Sequence, residues 1–200
     1  MESILPSAAP ETAPSSHPPL RADARRNREK LIEAASAAFA ENGVETSLED
    51  IARKAGVGIG TLYRHFPTRE HLVEVIYRRE LEALAAAALE LAARHPSDIA
   101  LEEWMRRFVD YIATKRGMAS SLKILMDSNS SLFAEGSGRL KSAAGGLLTT
   151  AAQEGKIRDD IDTTDLLHAL SSIYSLPSSP EWRDRSNRLI GLLMDGLRRK

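Results

Sequence analysis

An all-α fold follows from three features of this sequence. Past a proline-rich start, apolar residues recur at helical spacing along the whole chain. No stretch of useful length alternates apolar and polar residues in the manner of a half-buried strand. Short breaks containing Gly or Pro separate the periodic runs. With 200 residues, 42% of them hydrophobic, there is material for one large domain or two small ones with a real core.

Five of the nine prolines stand at positions 6, 10, 14, 18 and 19 among Ser, Ala and Thr. Such a segment buries too little apolar surface to offset its ordering entropy, so residues 1–23 are expected to be a disordered tail. A first helix is predicted from Ala24 to Asn42, where Leu31, Ala35, Ala38 and Phe39 share a face and Gly43 ends it. The run "ETSLEDIARKAG" opens a short second helix, with either Thr46 and Glu49 or Ser47 and Asp50 as the capping pair. A very short third helix is predicted over Ile59–His65, ended by Pro67. The fourth is long, Arg69–Ala93, and stops before His95-Pro96. Further helices are predicted over Ile99–Lys115, Met118–Met126, Ser131–Glu154, Thr163–Tyr174 and Pro180–Arg199. The pattern divides into a small N-terminal unit, residues 24–83, and a larger helical bundle, residues 84–200.

Composition narrows the function classes. The chain has no cysteine, so it has no disulfide, thiolate zinc site or cysteine nucleophile. No apolar run approaches the length of a membrane span, and the opening "MESILPS" lacks the features of a signal peptide. A soluble cytoplasmic protein with no membrane partner is the expectation. Net charge is −1, but residues 21–69 carry nine Lys or Arg against seven Asp or Glu, a net of +2 that permits contact with phosphates. His95 and His168 are isolated and read as structural. The acidic run Asp159, Asp160, Asp162, Asp165 fails as a calcium loop because Asp165 stands where Gly is needed, and it reads as a helix cap. Neither a zinc-protease motif nor a nucleophile elbow is present. No catalytic residue, cofactor or metal is predicted.

The segment "AGVGIGTLYRHF", residues 55–66, has two candidate readings. A dinucleotide loop needs a preceding strand and a third glycine where Thr61 stands, and the P-loop pattern never occurs. A helix-turn-helix fits instead. Gly56 can take the left-handed turn conformation, and Val57 can plug the angle between two helices. On a helical wheel Ile59, Leu62, Tyr63 and Phe66 share one side, while Gly60, Thr61, Arg64 and His65 share the other. Ile59, Leu62 and Phe66 should therefore dock the helix, with Ile59 in the core. Thr61, Arg64 and His65 face outward, Gly60 allows close approach, and Tyr63 lies at the boundary with its hydroxyl available to a phosphate. Arg25, Arg26, Arg28 and Lys30 read either as a solvated face or as an arm for phosphate or the minor groove.

The stretch from Leu31 to Tyr77, with "AFAENG", "AGV", "GTLYRHF" and "PTREHL" in it, resembles the DNA-binding domain of the tetracycline-repressor (TetR) family over about residues 24–83. The resemblance implies a homodimeric transcriptional regulator, usually a repressor, released from double-stranded DNA by a small molecule in its C-terminal domain. It further implies phosphate contact by Ser47, phosphate or base contacts by Thr61, Tyr63 and His65, and a backbone contact by Arg69. Gly58 stands where the family often has a capping Ser, and Ile59 where it often has a polar residue facing DNA.

The second unit supplies candidates for a dimer face and a pocket. In the last helix Leu189, Ile190, Leu192, Leu193, Met194 and Leu197 cover an arc wider than one core stripe needs. The preceding helix is similarly broad, with Leu166, Leu167, Leu170, Ile173 and Tyr174. Family resemblance implies that these last two helices pair with a second copy, through Leu167, Leu170, Tyr174, Leu189, Leu192, Leu193 and Leu197. Pocket candidates are Trp104, Phe108, Tyr111, Met118, Leu122, Met126, Phe133 and Leu147, each of which also suits plain core. Gly136, Gly138, Gly145 and Gly146 within one helix read equally as close packing, a kink or ligand gating. Two rivals to a ligand-controlled repressor stand: a DNA-binding dimer without an effector, and an enzyme with its site in the bundle.

Overall fold

The computed structural model describes residues 17–176 and 179–198, and it is all-helical apart from one isolated bridge between Ile157 and Arg198. Helix α1 spans His17–Asn42, seven residues before the predicted Ala24. Pro18 and Pro19 fall in the first helical turn, where a missing N–H costs nothing, so they begin the helix instead of preceding it. The expected disorder of residues 17–23 is thereby corrected, and the rest of that tail, residues 1–16, lies outside the described residues.

Then come α2 (Leu48–Lys54), α3 (Ile59–His65) and α4 (Arg69–Arg94). Helix α4 runs unbroken through the expected division at residue 83 and so belongs to both units. The bundle adds α5 (Ser97–Gly117), α6 (Ala119–Ser128), α7 (Ser130–Gln153), α8 (Thr163–Ser171) and α9 (Trp182–Leu197). A 3₁₀ turn, Ser172–Ser175, takes the place of the predicted end of α8. Asp162 caps α8 with Asp165 in a reciprocal capping box, which gives the acidic run its structural role.

One apolar core is continuous from α1 to α9. Trp104 of α5 is fully buried and donates its indole N–H to the Leu84 carbonyl of α4 at 2.8 Å. Two glycines let helices touch. A Cβ on Gly117 would stand 2.0 Å from the Phe39 carbonyl oxygen, so the end of α5 meets the α1 backbone directly. A Cβ on Gly136 would stand 2.7 Å from Leu81 Cδ1, which brings α7 against α4. Gly145 similarly faces Thr163, while Gly138 and Gly146 face open space.

Candidate nucleic-acid interface

The turn between α2 and α3 is built by the backbone. Gly56 has φ +69°, its N–H donates to the Arg53 carbonyl at 3.1 Å, and Val57 N–H donates to Ala52 at 3.0 Å. This double bond pattern closes α2 in a Schellman motif and turns the chain sharply into α3. Val57 packs against the core at the corner.

Helix α3 is then seated by two side chains, Leu62 and Phe66, both with no exposed surface. Phe66 sits under the Arg28 guanidinium, 5.2 Å from its ring centroid, and meets the edge of His71. Arg28 therefore holds the anchor of α3, which separates it from the rest of the basic run. Arg26 pairs with Asp23 within α1, while Arg25 and Lys30 are exposed.

The remainder of α3 faces outward. Gly60, Tyr63 and Arg64 are exposed, and Thr61 and His65 are half-buried on one flank. A Cβ built on Gly60 or Gly58 meets nothing, so the helix start is free of neighbouring protein. Ile59 departs from expectation. It is 37% exposed rather than core, because buried Leu62 and Phe66 centre the docking face away from it and no preceding turn covers the first helical residue.

Two flanking residues expected at DNA are engaged within the protein. Ser47 is the α2 cap: its Oγ accepts from Asp50 N–H at 3.0 Å and donates to Asp50 Oδ2 at 2.7 Å. That bond, and then Arg53, hold the Asp50 carboxyl below its usual range. Of the two capping pairs, Ser47 and Asp50 is therefore the one formed; Thr46 is buried and donates to Ala38 and Gly43 carbonyls. Arg69 Nη1 donates to the Thr46 carbonyl at 2.6 Å, and its guanidinium lies 5.0 Å over Phe39. It ties the start of α4 to α1 and to the α2 entry.

In the bundle, the aromatic pocket candidates form a packed chain. Trp104 meets Phe108 at 6.0 Å, Phe108 meets Tyr111 at 5.8 Å, and Tyr77 meets both Tyr111 and Phe133, the latter at 5.1 Å. Met118, Leu122 and Leu147 are buried in the same core, but Met126 is 55% exposed and is no part of it. The α6 stripe that carries Leu122 and Leu125 inward turns Met126 away. Sequence reading missed buried Tyr77 and half-buried Lys115 in this cluster. Lys115 Nζ lies 5.9 Å over the Tyr111 ring, and burial pushes its pKa down. Burial likewise raises that of Tyr77, against a bond from Tyr111. A gap of about 20 Å³ adjoins Tyr77, Leu81 and Gly136. A larger cleft of about 760 Å³ lies elsewhere, between the ends of α1 and α5 and the start of α9, and none of the pocket candidates lines it. Arg116 stacks over Trp182 there at 5.0 Å.

The expected dimer face divides. Leu170 and Leu197 are buried within their own subunit, because α8 and α9 each turn one apolar edge into the core. Leu192 is 68% exposed, and Leu167, Leu189 and Leu193 are half-buried. The side chain of Tyr174 lies outside the described residues.

Comparison with known proteins agrees with this architecture. Residues 31–76 match the family model described as bacterial regulatory proteins, tetR family. Residues 95–199, more than half of the chain, match the model described as transcriptional regulator SbtR-like, C-terminal domain. A TetR transcriptional regulator from Streptomyces coelicolor is similar at 43% identity, with a TM-score of 0.75 over 86% of this chain and 98% of that one. The TetR transcription regulatory protein from Mycobacterium vanbaalenii is 31% identical, with a TM-score of 0.69 over 90% of this chain and all of that one. An HTH-type transcriptional regulator of Staphylococcus aureus (strain USA300) is 42% identical over 64 residues, which are 32% of this chain. The match spans about a third of the length of that relative, 35%.

Proposed function

This chain belongs to the tetR family of bacterial regulatory proteins, DNA-binding transcriptional regulators, and on that premise we propose that it is a homodimeric repressor, released from a palindromic operator by a small-molecule effector. The observation that carries the DNA-facing part is the division of α3: Leu62 and Phe66 fully buried, Gly60, Tyr63 and Arg64 open to solvent. A helix held from behind by two anchors offers its other face to a major groove. Arg64 reads a base edge, Thr61 and His65 contact bases or phosphates on one flank, and Tyr63 sends its hydroxyl to a phosphate. Ser47 and Arg69 support the reader from within, one as a cap and one as a tie. Any phosphate contact they make comes in addition to those bonds.

One such helix is too small a reader for specific binding at physiological salt, so two copies are needed. Exposed Leu192, with Leu167, Leu189 and Leu193 half-covered beside it, supports pairing through α8 and α9 in the cytoplasm. Tyr77, Tyr111, Lys115 and Phe133 support an effector site, since polar groups inside an aromatic core can orient a ligand. Helix α4 carries Tyr77 and Leu81 in the bundle, Arg69 at the α2 entry and His71 against the α3 anchor Phe66, so movement of α7 away from Leu81 would travel to the reader through one rigid element.

A second reading, a constitutive dimer without effector, is favoured by the 20 Å³ gap beside Tyr77, room for about one water. Selection of bound duplexes from a random pool tests the DNA reading. The expected product is a palindrome whose half-sites lie roughly 34–36 Å apart, bound by two chains in sedimentation. Recovery of no preferred sequence, or of one chain per duplex, contradicts it. Thermal stabilisation by a member of a metabolite library supports the effector; none across a broad library favours the constitutive dimer.

A further inference from the structure

We infer that Ile59 is a specificity residue of the DNA reader, seated against the C5-methyl group of a thymine. The inference rests on the DNA-binding reading above and adds a base identity to it.

Three observations on α3 support it. Ile59 is the first helical residue and is 37% exposed, at the end of the helix from which base edges are reached. Gly58 and Gly60 flank it, and an added Cβ at either would meet no neighbouring element within 4 Å, so the backbone on both sides of the isoleucine is open. Tyr63, one turn along, is 46% exposed on the same flank. Together Ile59 and Tyr63 make an apolar strip beside the polar centre of Arg64.

Scattered apolar side chains on a surface need no explanation. This one differs in what its surroundings offer. An aliphatic side chain neither donates nor accepts a hydrogen bond, so the donor and acceptor pattern of the major groove gives it no partner. The groove has one apolar mark, the thymine methyl, and contact with it is how apolar side chains discriminate bases. Gly60 adds reach, because the missing side chain lets the helix start come closer to the base edge.

The test uses the full chain and the operator obtained by selection. Each thymine is replaced in turn by deoxyuridine, which removes the methyl and leaves pairing intact. Wild-type protein is expected to lose about fourfold in affinity at one thymine per half-site, the factor equivalent to about 0.8 kcal/mol for one methyl's burial. Ile59→Ala, whose fold is checked by circular dichroism, is expected to bind the thymine and deoxyuridine duplexes equally. Indifference of the wild type to deoxyuridine at every position overturns the inference, and so does an Ile59→Ala variant that keeps the fourfold difference. Both leave specific DNA binding standing. Failure to enrich any operator would instead overturn the DNA-binding reading.

Discussion

The reader and the bundle solve opposite packing problems. In the reader, Leu31, Phe39, Ile51, Leu62 and Phe66 have no exposed surface, and short helices are pinned by caps, a Schellman turn and the Arg69 tie. In the bundle, the interior contains two phenols with a half-buried cation beside them, and α7 has four glycines where a helix prefers none. A small apolar core in short helices gives a fixed geometry, which base reading requires. Phenols in the core and glycines along α7 give a region whose packing would rearrange in the proposed response to a ligand. The two meet where Gly117 touches Phe39 and where α4 passes from one to the other.

Removing an anchor of the reader breaks the comparison most directly. Phe66→Ala is expected to lose about 3–5 kcal/mol, the range for a buried aromatic truncated to alanine. Urea denaturation measures it, and a loss below about 1 kcal/mol would mean that α3 is not held as described. At the junction, Gly117→Ala should cost about 1–3 kcal/mol, because its Cβ meets backbone that has no rotamer to move. Gly138→Ala sharpens the contrast within the bundle. Its Cβ meets open space, so the substitution should stabilise by about 1 kcal/mol, read as a raised midpoint in the same titration. Equal signs for these two glycine substitutions would refute the packing account.

The smallest effect is acid sensitivity where α9 meets α5. Burial works to raise the Glu102 pKa, but bonds from Arg106 at 2.6 Å and Arg198 at 2.7 Å outweigh it and hold it below its ordinary value of about 4.5. The stabilisation is therefore present above about pH 4.5 and is lost as pH falls through the depressed folded-state value. Glu102→Gln should flatten that acid limb of a stability-against-pH curve; an unchanged limb would mean that the pair contributes nothing.

How far these features are legible in sequence depends on whether they are local. The bounds of α3, its anchors Leu62 and Phe66 and the turn at Gly56 follow from residues within a dozen positions of each other, and they stand as read. Ile59 does not, because a seven-residue wheel cannot decide which flank the neighbouring helices cover. Arg69 reaches a carbonyl 23 residues earlier, a partner no local pattern names. The leucines of α8 and α9 show the same limit: periodicity marks Leu170 and Leu192 alike as apolar, yet only one faces its own subunit's core. Lys115 and Tyr77, which both meet Tyr111, carry no sequence signal as its neighbours, since a lysine on a helix usually serves the surface and a lone tyrosine names no partner.

On the proposed function, the outward face of α3 reads base sequence. Anisotropy titrations of the selected operator and a scrambled duplex, with wild type and Arg64→Ala, test it most directly. Arg64→Ala is expected to lose roughly 5- to 150-fold on the operator, corresponding to about 1–3 kcal/mol for one base contact, with little change on the scrambled duplex. An equal loss on both duplexes, or none on either, would contradict it.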